Sequence, residues 1–158
     1  MRTVFITEIP GYPSEADGSF VLDLTAAKPK DCIGCWSCWV KTPGRCVHSD
    51  LDEFYRALIN ADKAVFYLNA RRGFVSGNVK TLFDRLIPFY LPYIRYGTGE
   101  SMHEPRYEKY PDADVYYTGD FLAGERQIFE EYLARAFYQF YMNASIQALE
   151  HSAGGEEK

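Results

Sequence analysis

The chain has 158 residues, 47% hydrophobic and 25% charged, which suits one globular domain with a sizeable core. A formal net charge of −5, with no basic stripe, argues against a nucleic-acid partner. No stretch reaches the roughly 18 apolar residues of a membrane span. The opening MRTVFITEIP carries no secretory pattern, so a cytoplasmic protein without membrane contact is expected.

The run from Thr3 to Ile6 reads as a buried parallel strand, and EIPGYPSEADG after it reads as loop. Phe20, Leu22 and Leu24 alternate as a second strand, followed by a cysteine-bearing loop from about Lys28 to Ser49. Asp50 with Glu53 resembles a capping box, and Leu51, Phe54, Leu58 and Ile59 then recur at helical spacing. KAVFYLN is a third strand, and Asn69 to Gly73 turn out of it. Ser76 caps a helix with Val79, Leu82, Phe83, Leu86 and Ile87 on one face, stopped by Pro88.

Tyr90 to Pro111 reads as a long irregular segment, a length that inside a compact domain signals function or an interface. Ala113 to Thr118 is a fourth strand. The last helix is expected from about Glu125 to Leu149, with a stripe of Ile128, Phe129, Tyr132, Leu133, Ala136, Phe137, Phe140 and Tyr141. One domain over 1–150 and a frayed tail over 151–158 complete the expectation.

Strands alternating with helices imply a parallel sheet between helical layers, here of about four strands. The first crossover is odd. It offers about twelve residues and contains Pro10 and Pro13, so its helix is missing or much reduced. A parallel sheet needs both faces covered, so that loss calls for other cover: the last helix, the Tyr90–Pro111 segment or another chain. The 13 Tyr and 11 Phe supply aromatic surface for such a contact.

Cys32, Cys35, Cys38 and Cys46 are the chain's only cysteines and fall within one short segment, which reads as metal or redox chemistry. Short C-x2-C-x2-C spacers let three thiolates meet three corners of a cubane cluster, and a looser fourth closes it. Trp36 and Trp39 flank the run and are placed to shield such a cluster. A tetrahedral zinc site and plain thiols are the competing readings. His48 beside the loop is a spare ligand or simply exposed. No Ser/His/Asp triad, catalytic carboxylate pair or HExxH run supports hydrolytic chemistry.

The ordered set Cys32-Ile-Gly-Cys35-Trp-Ser-Cys38, Pro43-Gly-Arg-Cys46, Asp50 with Asp52, Ala61-Asp62, Ser76-Gly77-Asn78-Val79-Lys80, Asp84-Arg85 and Arg106-Tyr-Glu-Lys-Tyr-Pro111 covers about half the chain. In order and spacing it resembles the flavodoxin-like NAD(P)H-dependent FMN reductases, especially their iron–sulfur flavoprotein branch. The resemblance implies a flavodoxin-like three-layer α/β sandwich, FMN as cofactor, NAD(P)H as reductant, and a 4Fe-4S cluster on Cys32, Cys35, Cys38 and Cys46. The family's Gly/Ser-rich phosphate turn is replaced here by Glu8-Ile-Pro-Gly-Tyr-Pro-Ser-Glu15, and its Pro-x-Tyr turn by Asn69-Ala70-Arg71-Arg72-Gly73-Phe74. The sheet also ends one strand short of the family's five.

The carboxyl edge of such a sheet is where ligands bind. Asn69, Ala70, Arg71, Arg72, Gly73, Phe74, Tyr117 and Thr118 are therefore the expected flavin-binding positions. Arg71 and Arg72 are either phosphate grips or a solvated turn. Lys80, Asp84 and Arg85 sit on the helix after that turn; Lys80 and Asp84 are spaced to pair along one face, and helix-surface pairing is the role expected of the group. The function implied is an FMN-dependent NAD(P)H oxidoreductase or electron-transfer flavoprotein. The alternative is a non-catalytic flavodoxin-like subunit that binds a flavoprotein partner. A homo-oligomer or such a partner complex is the expected assembly.

Overall fold

The structure is a computed structural model that describes residues 1–149; the expected tail over 151–158 lies outside the described residues. Its strands are β1 (Thr3–Thr7), β2 (Phe20–Asp23), β3 (Lys63–Asn69), β4 (Tyr90–Tyr96), β5 (Ser101–Pro105), β6 (Asp112–Thr118) and β7 (Ala144–Ala148). The helices are α1 (Ser37–Val40), α2 (Asp52–Ile59), α3 (Gly77–Asp84) and α4 (Glu125–Gln139). A five-stranded sheet runs in the order β2-β1-β3-β6-β7 with every neighbouring pair parallel. That is the 2-1-3-4-5 order of the flavodoxin-like fold.

Register explains the core. Ile6 stands opposite both Leu22 and Phe66, Phe66 opposite Val115, and Val115 opposite Ile146, so one apolar row crosses the whole sheet. The three longer helices cover this face. Phe54 of α2 meets Phe20, Phe137 of α4 meets Phe66, and Phe83 of α3 meets Phe137. The opposite face carries Phe5, Val65, Tyr67 and Tyr116, with Tyr67 and Tyr116 stacked 5.4 Å apart. No helix forms between β1 and β2, as expected. The connecting loop instead lays Tyr12 on Tyr67, 4.9 Å between ring centroids.

Four expectations are corrected. The last helix stops at Gln139 and the chain adds a fifth sheet strand, β7, where helix was expected to Leu149. Tyr141 adopts a left-handed backbone (φ 59°), Asn143 accepts the Ala113 N–H at 2.8 Å, and the alternation Ala-Ser-Ile-Gln-Ala then pairs along β6. Ile128 falls off the buried stripe and is 68% exposed, whereas Phe129, Leu133 and Phe137 are fully buried. The segment after Tyr90 is not irregular: β4 and β5 form an antiparallel hairpin. Asp50 also does not cap α2, whose N-cap is Leu51 without a side-chain hydrogen bond.

Gly119 ends β6 with φ 147°, and a Cβ there would lie 2.7 Å from both the Cβ and the carbonyl oxygen of Ala70. Gly119→Ala is therefore expected to lower stability by about 1–3 kcal/mol in urea unfolding. An unchanged midpoint would mean that β3 and β6 do not approach this closely at their carboxyl ends.

Candidate functional site

The cysteine loop leaves β2 and folds back through two left-handed residues, Gly34 (φ 63°) and Trp36 (φ 58°), into the single turn of α1. Cys38 is buried in that turn, Cys46 is half-buried, and Cys32 and Cys35 are exposed. All four line one cavity of about 460 Å³. The facing wall comes from the end of α3 and the 3-10 turn after it, with Phe83, Ile87 and Pro88, and from Tyr90, His103 and Phe140. Burial pushes the Cys38 thiol up, and the neighbouring Cys46, Cys32 and Cys35 add to the shift. The Cys35 thiol is held below its usual range by hydrogen bonds to the Ser37 side chain and backbone.

The loop is held by residues from far along the chain. Arg85 is 1% exposed, and its guanidinium bonds to Asp50 Oδ1 at 2.8 Å and to the carbonyls of Lys30 at 2.5 Å and His48 at 3.4 Å. Burial pushes the Asp50 carboxyl up, but the bonds from Arg85 and the Lys30 N–H outweigh it and leave the carboxyl below its ordinary value. Tyr55 donates to the Arg85 carbonyl at 2.7 Å. Arg106 reaches the carbonyls of Pro88 (2.9 Å), Tyr90 (3.1 Å) and Cys38 (3.5 Å). Trp39 donates its indole N–H to the Tyr90 carbonyl at 2.9 Å. Tyr110 donates to the Phe89 carbonyl at 2.5 Å and accepts the Arg106 N–H.

The motif residues Asp50, Arg85, Arg106 and Tyr110 are thus the scaffold of the cysteine loop. Sequence reasoning grouped Arg85 with the Lys80–Asp84 surface pair. That pair does form, but Arg85 does not belong to it. Nothing in helical periodicity distinguishes a buried arginine one residue past a helix end from an exposed one.

Does the cavity suit a metal group? Among the described residues, no three His, Cys, Asp or Glu side chains converge as a preformed metal site. Three buried nitrogens on cavity residues, His48 Nε2, His103 Nδ1 and Arg85 Nε, have no hydrogen-bond partner. Such orphans are rare in packed proteins and point to a missing group or water nearby. Trp36 lines the cavity, is 58% exposed and packs on Trp39 with the rings tilted by 33° and 4.8 Å between centroids.

The turn after β1 does not suit a flavin phosphate. Pro10 and Pro13 have no N–H, and three of the neighbouring N–H groups are committed: Glu8 to the Tyr67 carbonyl, Ile9 to Thr7 Oγ1, and Tyr12 to the Ile9 carbonyl. Glu8 sits where β1 and β3 end. Its carboxylate accepts the Asn69 N–H at 3.2 Å and the Ser76 hydroxyl, the same hydroxyl that caps α3 by accepting the Val79 N–H. An anion already holds this position, and a second one would be repelled.

The expected flavin-binding residues are spread over different settings. Asn69 is bound to Glu8, and Ala70 is buried with its N–H on the Thr118 carbonyl at 2.7 Å. Arg71 to Phe74 close a tight turn with Arg72 and Gly73 both at positive φ. Arg71 and Arg72 are exposed and form no ion pair among the described residues. Phe74 packs on Tyr132 at 4.5 Å. Tyr117 is 1% exposed and bonds to Glu130; burial and that carboxylate push its hydroxyl up to about 12. It belongs to the core, and stacking on a ligand would require the core to open.

No known family and no curated protein matches this sequence. Among solved structures the chain is similar to a flavone reductase, at 15% identity and TM-score 0.59, covering 95% of this chain and 54% of that one. It thus spans about half the length of that protein. It is also similar to an azoreductase from Bacillus anthracis str. Sterne, at 14% identity and TM-score 0.58, covering 95% and 87%. Azoreductase AzrA follows at 14% identity and TM-score 0.54, covering 94% and 87%. These likenesses establish the flavodoxin-like α/β fold. None of the helices among the described residues is long and apolar enough to cross a membrane.

Proposed function

We propose that this chain is an electron-transfer oxidoreductase of the flavodoxin-like fold, whose redox centre is a 4Fe-4S cluster on Cys32, Cys35, Cys38 and Cys46. The observation that carries the reading is the convergence of all four cysteines on one cavity. A bound cluster supplies one-electron transfer. The protein supplies the rest. Arg85 and Arg106 hold the loop by its carbonyls, the walls of Phe83, Ile87 and Phe140 exclude water, and Ile33, Trp36 and Val47 form an apolar rim. Since the turn after β1 does not suit FMN, the flavin in this reading belongs to a flavoprotein partner.

A second reading, an NAD(P)H-dependent FMN oxidoreductase in its own right, is favoured by Arg71 and Arg72 at the carboxyl edge of β3, which form no ion pair among the described residues. Their guanidiniums suit a flavin or nicotinamide-dinucleotide phosphate. The visible spectrum of anaerobically purified protein separates the two. A broad iron–sulfur absorption without flavin bands supports the first reading. Flavin near one equivalent, lost in Arg71→Ala/Arg72→Ala, supports the second. A colourless protein, even after reconstitution with iron, sulfide and FMN, would contradict both.

A further inference from the structure

The hairpin ends in an edge strand with no cover. Tyr93, Ile94 and Tyr96 of β4 are 67%, 46% and 78% exposed, and every residue from Pro92 to Gly99 is exposed, so both faces of the strand lie in water. Among the described residues β4 pairs only with β5, and Tyr93 to Tyr96 make no other backbone hydrogen bond. The inner strand differs: Met102 is buried, and the His103 carbonyl accepts the Tyr141 hydroxyl at 2.6 Å. An apolar edge of this kind is a template for a further strand. Natural edges are usually blunted by charges, lysine above all, or by proline; β4 has no lysine and only Pro92 and Arg95.

The strand is complementary to itself. Antiparallel pairing about a two-fold axis through Ile94 sets Ile94 against Ile94 of a second copy, Tyr96 against Pro92, and Tyr93 against Arg95, the last two contacts occurring twice. One face of the joined ladder is then apolar. The other brings each Arg95 guanidinium, which lies 3.7 Å from Glu104 in its own hairpin, within reach of a Tyr93 ring for a cation–π contact. Charge agrees. The chain carries −5 overall, but from Tyr90 to Arg106 two arginines balance Glu100 and Glu104, so two acidic molecules meet here on a neutral segment.

We infer that the chain forms a two-fold dimer through β4, joining two hairpins into a four-stranded antiparallel sheet. Tyr90 and His103 carry the hairpin into the wall of the cysteine cavity, so the interface lies beside that cavity in each protomer.

Sedimentation velocity of the full chain at micromolar concentration tests this. Wild type is expected to sediment as a dimer. Ile94→Lys and Arg95→Glu should each weaken association about 100-fold, while Arg95→Lys, which keeps the cation, retains most of it. Leu122→Lys, at a site 75% exposed ahead of α4, should leave the dimer intact. Matching circular dichroism and urea midpoints establish that the variants fold. A monomeric wild type, or a dimer indifferent to both Ile94→Lys and Arg95→Glu, would overturn the proposal.

Discussion

Arg85→Ala is expected to destabilise the protein by about 3–5 kcal/mol in urea unfolding, the range for removing one partner of a buried ion pair. The loss combines three effects. The carbonyls of Lys30 and His48 lose their donor, a side chain that is 99% buried leaves a void, and Asp50 keeps a charge with no counter-ion. Because the Asp50 side chain is 24% exposed, water recovers part of the ion-pair term, which favours the lower end of the range. Arg85→Lys should recover little, since an ammonium cannot reach both carbonyls and a carboxylate with a planar fork.

The same pair gives a pH dependence. The folded Asp50 carboxyl lies below its ordinary value. Its stabilisation is therefore complete above the unfolded value of about 4 and is lost as pH falls through the folded one. The stability gap between wild type and Asp50→Asn should be widest near neutral pH and close in acid. A gap independent of pH between neutrality and about 3 would mean that Asp50 does not serve Arg85 as a carboxylate.

Cys38→Ser should remove nearly all iron from anaerobically purified protein, the largest functional effect expected. Cys38 is the buried member of the set and lines one cavity with the other three. A hydroxyl is a poor substitute for a thiolate on iron, and three remaining corners leave a cluster open to water. His48→Ala should keep its iron, because four thiolates already occupy the four corners of a cluster. Iron unchanged in Cys38→Ser but lost in His48→Ala would invert the ligand assignment.

Much of the sheet was legible in the sequence, because buried parallel strands write themselves as short apolar runs: Thr3–Ile6, KAVFYLN and ADVYYT all became strands. Ser76 was legible for a local reason too, since an N-cap needs only its own hydroxyl and the N–H three residues on. β7 was not, because Ala-Ser-Ile-Gln-Ala follows the aromatic stripe of α4 without Gly or Pro, and what ends the helix is the left-handed Tyr141. The hairpin was hidden by its exposure: Pro92 to Gly99 has no buried face to impose alternation.

At the site, the four cysteines could be read from spacing, but their scaffold could not. Asp50 looked like a helix cap because a carboxylate ahead of a helix has the same sequence signature whether it bonds to that helix or to an arginine 35 residues away. Glu8 was visible as a departure from the phosphate turn. That its carboxylate fills the position, tied to Asn69 and Ser76, depends on contacts more than 60 residues apart in sequence.

The central claim, a cluster on the four cysteines, is tested most directly by electron paramagnetic resonance of anaerobically purified protein before and after reduction with dithionite. The account predicts a signal that appears on reduction, accompanied by about four iron and four sulfide per chain, and absent from Cys38→Ser. A protein that stays silent on reduction, and that contains zinc or no metal in place of iron and sulfide, would contradict it.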